Sequence, residues 1–182
     1  MDRALDLLPL IPAAARSALD LGSGGGVPGL PLVLARPMLD WVLLDGSVTR
    51  GHFLREAADQ LAQVRPGQLP RGGVRVVEAR AEDAARRADL RAAFDLVVVR
   101  SFGPPAVTAE CGAPFLEVGG RMVVAEPPDQ EPRWPADGLA QLGLAPGRRV
   151  TEPSAFQVLE QVAPCPDRYP RRVGIPAKRP LF

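Results

Sequence analysis

The residues best placed to do chemistry lie in one stretch, Asp20-Leu21-Gly22-Ser23-Gly24-Gly25-Gly26-Val27-Pro28-Gly29. Glycines at this density let a backbone turn sharply and approach a ligand where a Cβ would collide. A helix starting just beyond them presents free amide donors to polar ligand atoms. Three further groups fall where apolar runs end. Asp45 closes Trp41-Val42-Leu43-Leu44, about 20 residues past the loop, where a carboxylate can accept hydrogen bonds from both hydroxyls of a ribose. Ala81-Glu82 follows a third apolar run, where the backbone could contact an adenine edge. Arg100 directly follows Leu96-Val97-Val98-Val99.

Two cofactor classes compete for the loop. Gly24, Gly26 and Gly29 spell G-x-G-x-x-G, the dinucleotide fingerprint, but that fingerprint should begin at the strand end and Gly24 comes late. Read from Asp20, the same residues give D-x-G-x-G-x-G, the pattern of S-adenosyl-L-methionine (AdoMet)-dependent methyltransferases, in register with the strand. Asp45 would serve the ribose of either cofactor, so NAD(P) stays open on these residues alone. The C-terminal half favours AdoMet. Two strand-like runs, 149–151 and 156–162, are separated by Glu152-Pro153-Ser154, too short for a crossover helix, and must pair antiparallel. Plainer readings stand beside these: a glycine turn without a ligand, Glu82 as ordinary helix-dipole chemistry, and Arg100 as a salt bridge at the sheet edge.

Other chemistries are excluded by what the chain lacks. It has one histidine, His52, and two separated cysteines, Cys111 and Cys165. That set makes neither an ordinary structural zinc site nor a disulfide framework, and both cysteines read as packing residues of a reducing compartment. A Ser-His-Asp triad would need His52, which falls in a helical pattern beside no nucleophile turn. No metal is expected. The 182 residues suit one domain with a sizeable core, and 24% charged residues at a mean hydropathy of 0.00 exclude a disordered tail or a membrane protein. The longest uncharged run, 21–35, is broken by glycines and prolines and falls short of the roughly 20 apolar residues a bilayer requires. The start, Met1-Asp2-Arg3, faintly suggests a signal peptide. Asp6 interrupts the would-be apolar region, so none is expected and the location is cytoplasmic.

Short β-rich runs alternate with helical patterns along the chain. Strands are expected at 17–21, 41–45, 74–77, 94–99 and 121–125. Helices are expected at 27–36, from an N-capping Ser47 onward, and over 82–92. Such continuous apolar runs suit a parallel sheet covered on both faces. The fold class is therefore α/β: a Rossmann-like, class I AdoMet-dependent methyltransferase with a mostly parallel seven-stranded sheet and a final antiparallel strand pair. Residues 1–167 form the domain. Residues 168–182 form a basic tail, with Arg168, Arg171, Arg172, Lys178 and Arg179 against no acid, and with prolines that argue for an extended segment. The net charge of +1 thus divides into −4 in the body and +5 in the tail, which points to a nucleic-acid partner.

With these residues assembled, the chain resembles the small-subunit (16S) rRNA guanine-N7 methyltransferase G family, also called the glucose-inhibited division protein B family. The resemblance runs from about Asp2 to the end. It rests on the loop extended through Leu30-Pro31, on Leu44-Asp45 with Arg50 and Phe53-Leu54, and on Ala79-Arg80-Ala81-Glu82. Val99-Arg100-Ser101-Phe102 and the tail from Arg168-Tyr169-Pro170-Arg171-Arg172 to Lys178-Arg179-Pro180-Leu181 complete it. The resemblance implies AdoMet contacted at Gly22, Gly24, Gly26, Val27, Asp45, Ala81, Glu82 and Arg100. It also implies methyl transfer to N7 of a guanine, with 16S rRNA or the 30S subunit as partner and a monomer as the working unit. Arg50 and the five tail cations would face the RNA.

The sequence also departs from the family's pattern. Glu126-Pro127 stands where the family has lysine and glycine, and Gly46 and Thr49-Arg50 stand where it has serine and Lys-Arg. The helical segment that usually precedes the loop is not in this sequence. The chain thus reads as a diverged or N-terminally short member. An AdoMet-binding paralogue with another substrate is the alternative, and an NAD(P)-binding protein the remote one.

Overall fold

The computed structural model describes residues 4–70, 73–127 and 133–182; Met1-Asp2-Arg3, weighed above as a leader, lies outside them. Seven strands form one sheet: β1 (Ser17–Leu21), β2 (Asp40–Asp45), β3 (Val74–Glu78), β4 (Phe94–Val99), β5 (Leu116–Ala125), β6 (Leu144–Val150) and β7 (Phe156–Gln161). Their order is β3-β2-β1-β4-β5-β7-β6. Pairing is parallel from β3 through β5, while β7 runs antiparallel between β5 and β6. This is the mostly parallel sheet with a closing antiparallel pair that the sequence predicts, and a dinucleotide fold continuing in parallel units would not contain it.

Side-chain alternation explains why the central strands are apolar throughout. Leu19, Leu21, Val42, Leu44, Val97 and Val99 pack into one core, and Ala18, Trp41, Leu96 and Val98 into the core on the opposite face. A strand with both faces covered has no position left for a polar residue except at its ends. Each fully buried leucine or valine here contributes about 1.5–3 kcal/mol. The N-terminal end of β1 is tied to β4 by Asp95, which accepts from the N–H groups of Arg16 and Ser17 at 2.7 and 2.9 Å.

Among the described residues six α-helices flank the sheet, α1 (Gly29–Ala35), α2 (Val48–Val64), α3 (Ala81–Ala84), α4 (Pro105–Gly112), α5 (Ala136–Ala140) and α6 (Ile175–Lys178), with short 3-10 helices at Leu5–Leu10 and Ala113–Phe115. Ser47 caps α2, its Oγ accepting from Arg50 N at 3.5 Å, and Gly51, Leu54 and Ala58 form the buried stripe. None of the described helices is long and apolar enough to cross a membrane.

Several expectations are corrected. The helix expected over 82–92 is a single turn. Beyond Ala85 most backbone bonds shorten to three-residue spacing, as in Arg86 N to Asp83 O and Leu90 N to Arg87 O, although Arg91 N still reaches Arg87 O. Helix propensity there yields to tertiary bonds: Arg91 donates to the carbonyls of Tyr169, Cys165 and Pro166 at 2.9, 3.1 and 3.2 Å. Helix α1 begins at Gly29 rather than Val27, which leaves Val27 exposed in the preceding turn. Strands β5 and β6 start earlier than their apolar runs suggest: β5 pairs with β4 across an irregularity between Phe94 and Leu96, and β6 pairs with β7 across one between Pro146 and Arg149. The tail is not extended: it folds back on the body, buries Tyr169 and contains α6.

Candidate functional site

The strand order reverses between β1 and β4, and in an open α/β sheet the crevice at the carboxyl ends of such strands is where ligands bind. The loop leaving β1 sits at that point. Gly22 and Ser23 donate to Leu44 O at 2.9 and 3.0 Å, and Gly26 donates to Ser23 O at 2.7 Å. Gly22 takes a φ of +74°, and a Cβ there would lie 2.7 Å from the ring of Phe102. Gly29 opens α1 against the strand, where a Cβ would meet Asp20 Oδ2 at 2.4 Å. Only glycine brings the helix and the ring this close to the loop.

Two buried carboxylates organise the crevice. Asp20 has no solvent exposure, accepts from Gly29 N at 3.1 Å, and leaves Oδ1 without a hydrogen-bond partner among the described residues. Burial pushes its carboxyl up to about 7, against the Ser23 hydroxyl and the Gly29 N–H, with the Asp45 charge adding to the rise. Asp45 accepts from Gly24 N through Oδ2 and from Ser47 N through Oδ1, both at 2.9 Å. An ionised carboxylate has about four lone-pair sites. Two bonds fix its orientation and leave acceptor capacity for further hydroxyl or N–H donors.

A cavity of about 290 Å³ opens beside the loop, lined by Gly46, Ala81, Glu82, Phe102, Val107 and Cys111 among others. It joins the apolar walls an adenine ring requires to an edge carboxylate, Glu82, whose Oε1 accepts from Gly174 N at 3.0 Å. The glycine cradle, Asp45 and this pocket fit AdoMet: the ribose offers hydroxyl donors to a carboxylate, and the positive charge on the sulfonium suits an acidic crevice. Burial raises the thiol pKa of Cys111 well above its ordinary value and that of Cys165 to about 11, which disfavours the thiolate form at both.

A second cavity of about 430 Å³ lies beyond the ends of β4 and β5, and Phe102 and Gly103 line both spaces. Its walls include Arg100, Trp134, Phe156 and Glu126. The Glu126 side chain has no solvent exposure; its Oε1 accepts from Arg133 Nε at 3.1 Å and Trp134 Nε1 at 2.8 Å. The carboxylate that departs from the family's lysine is therefore neutralised within the wall.

The candidate cofactor residues divide between these spaces. Ala81 and Glu82 line the smaller cavity, and the exposed Arg100 lines the larger one. Gly22, Gly24, Gly26, Val27 and Asp45 lie outside both linings, in the loop or bonded to it. Arg50 is exposed at the rim, 3.7 Å from Asp45 Oδ2. Of the tail cations, Arg168, Arg172, Lys178 and Arg179 are exposed, whereas Arg171 binds Glu110. Sequence reasoning missed Glu110 and the tail residue Ala177, which lines the smaller cavity. The one signal for Glu110 was a lone acid inside the apolar run Ala109-Glu110-Cys111.

Comparison with known proteins places this geometry among relatives. Residues 3–132 match the family described as GidB, rRNA small subunit methyltransferase G. The chain is 36% identical over 175 residues to the ribosomal RNA small subunit methyltransferase G of Deinococcus deserti, covering 90% of this chain and 68% of that protein. It is 36% identical over 180 residues to the protein of the same name from Rubrobacter xylanophilus, covering 92% and 66%. The chain thus spans about two thirds of the length of these curated relatives. Among solved structures, the fold is similar to a putative methyltransferase, yhhF, of Escherichia coli, with a TM-score of 0.61, 20% identity and coverage of 90% and 88%. It is also similar to a T. thermophilus 16S rRNA N2 G1207 methyltransferase in complex with AdoMet and guanosine, with a TM-score of 0.57, 23% identity and coverage of 91% and 40%.

Proposed function

The chain belongs to the rRNA small subunit methyltransferase G family, and from that premise we propose that it transfers a methyl group from AdoMet to N7 of a guanine in 16S rRNA. One observation carries the reading: the cavity bordered by Ala81 and Glu82 and the larger cavity share Phe102 and Gly103 in their walls, so a donor in the first can face an acceptor base in the second. AdoMet supplies an electrophilic methyl carbon on a sulfonium.

The residues of the chain do the rest by placement. The glycine loop and Asp45 hold the nucleoside, and Ala81 and Glu82 border its base. Phe102, fixed against Gly22, separates the two spaces without filling either. Guanine N7 carries a lone pair and no proton, so its attack on the methyl carbon requires no general base. Alignment alone can supply much of the rate. Trp134 and Phe156 offer aromatic surface for an unstacked base, as enzymes that modify bases commonly do.

On the RNA side, Arg50 and the exposed cations Arg168, Arg172, Lys178 and Arg179 are proposed phosphate contacts, with the 30S subunit as the form of substrate. The test is incubation with 30S subunits that lack the modification and with labelled AdoMet, followed by mapping of the product base. Label at guanine N7 of 16S rRNA is the expected result. Labelling of another nucleic acid or of a protein, with none in 16S rRNA, would instead identify an AdoMet-dependent paralogue with a different acceptor.

A further inference from the structure

The tail, which composition marks as an RNA-facing arm, is built into the molecule by bonds that a solvated arm would not make. Glu110 on α4 has no solvent exposure and takes three hydrogen bonds from Arg171: from N and Nε at 2.8 Å and from Nη2 at 2.6 Å. The same Nη2 donates to Arg179 O at 2.6 Å, so one guanidinium holds the chain on both sides of α6. Arg86 and Arg91 bind the carbonyls of Pro170 and Tyr169 from below. Releasing the segment would leave the Glu110 carboxylate buried without its partner, a costly state in a low-dielectric interior.

This docking sets two features of the cofactor pocket. Gly174, held at a φ of +78°, donates its N–H to Glu82 Oε1 at 3.0 Å, which leaves Arg80, 3.6 Å away, on the other carboxylate oxygen. Three residues further on, Ala177 lines the cavity opposite Gly46 and Val107. The orientation of Glu82 and one wall of the pocket are therefore properties of the tail.

We infer that the segment from Arg171 to Lys178 is a wall of the AdoMet site, positioned by the Glu110–Arg171 pair, and that its docking and cofactor binding are coupled. Glu110 and Arg171 act here as positioning residues, since they reach the cofactor only through Gly174 and Ala177. Coupling of this kind is reciprocal: a tail that completes the pocket is itself held more firmly when the pocket is filled. The proposal rests on the AdoMet reading of the crevice.

Amide hydrogen exchange on the unaltered protein tests it. Saturating AdoMet should slow exchange across residues 171–178 at least tenfold beyond the slowing seen in β6, which lies at the far edge of the sheet. A second measurement uses Ala177→Trp. Ala177 is exposed, so the fold should persist while the added ring narrows the pocket, and calorimetry should read at least a tenfold loss of AdoMet affinity. Exchange across 171–178 that responds to AdoMet no more than β6 does would overturn the proposal while leaving the cofactor assignment intact. Failure of the unaltered protein to bind AdoMet at all would remove both.

Discussion

Asp20 shows how a single residue reports on the site. Its carboxyl lies beneath the glycine loop with one oxygen bonded to Gly29 and the other unpartnered among the described residues, and burial raises its pKa from 3.8 to about 7. An acid whose folded-state pKa lies above its unfolded value holds its proton more tightly when folded. Its stabilising contribution is complete below about pH 4 and is lost as the pH rises through about 7. Asp20→Asn removes that titration but keeps an acceptor for Gly29. From pH 5 to 7 the stability difference should move in the variant's favour by at most about 1.4 kcal/mol per pH unit, then level off. Denaturant titrations at a series of pH values give the answer, and a flat difference would contradict the assigned shift. The sequence makes Asp20 visible as the first residue of a motif. Its protonation was not legible, because it depends on how completely Leu43 and α1 seal the space around it.

At the scale of elements, legibility followed hydrophobic pattern. Strands β1 and β4 fall where their apolar runs lie, because both faces are covered and nothing else competes for those residues. Helix α4 left no such trace: Ala106, Thr108, Ala109, Glu110, Cys111 and Gly112 are all buried, so no polar face marks a period. The 82–92 stretch misled for the opposite reason. Its alanines and arginines favour helix locally, but Arg86 and Arg91 are used as donors to carbonyls far along the chain. The basic tail misled similarly, since Arg171 reads as surface charge until Glu110 is placed opposite it. Glu110→Gln keeps the shape of that contact and removes its charge. It should lower unfolding free energy by about 1–3 kcal/mol, measured by denaturant titration. An unchanged midpoint would mean that the tail is held chiefly by its apolar contacts, the buried Tyr169 and Phe182, which packs against the same core.

For the whole molecule, the division of charge takes on a different meaning. Five tail cations stand against a body of −4, but Arg171 is committed internally and four remain exposed. If those four meet phosphates, the tail's share of the logarithmic salt slope of RNA binding should be about −2.8 to −3.6. Arg171→Gln should leave that slope unchanged among molecules that remain folded, whereas Arg172→Gln should reduce it by about 0.7–0.9. Equal effects of the two substitutions would return Arg171 to the RNA face.

The docked tail also gives truncation a specific consequence. All seven strands described precede residue 168 in the chain, whereas the segment from Arg171 to Lys178, inferred above to wall the cavity, follows them. A polypeptide that stopped at residue 167 would keep every strand-pairing partner in the sheet and lose Gly174, Ala177 and the partner of the buried Glu110. On that inference its sheet could persist while its pocket lay open, so competence to bind AdoMet would serve as a check that the last residues are present.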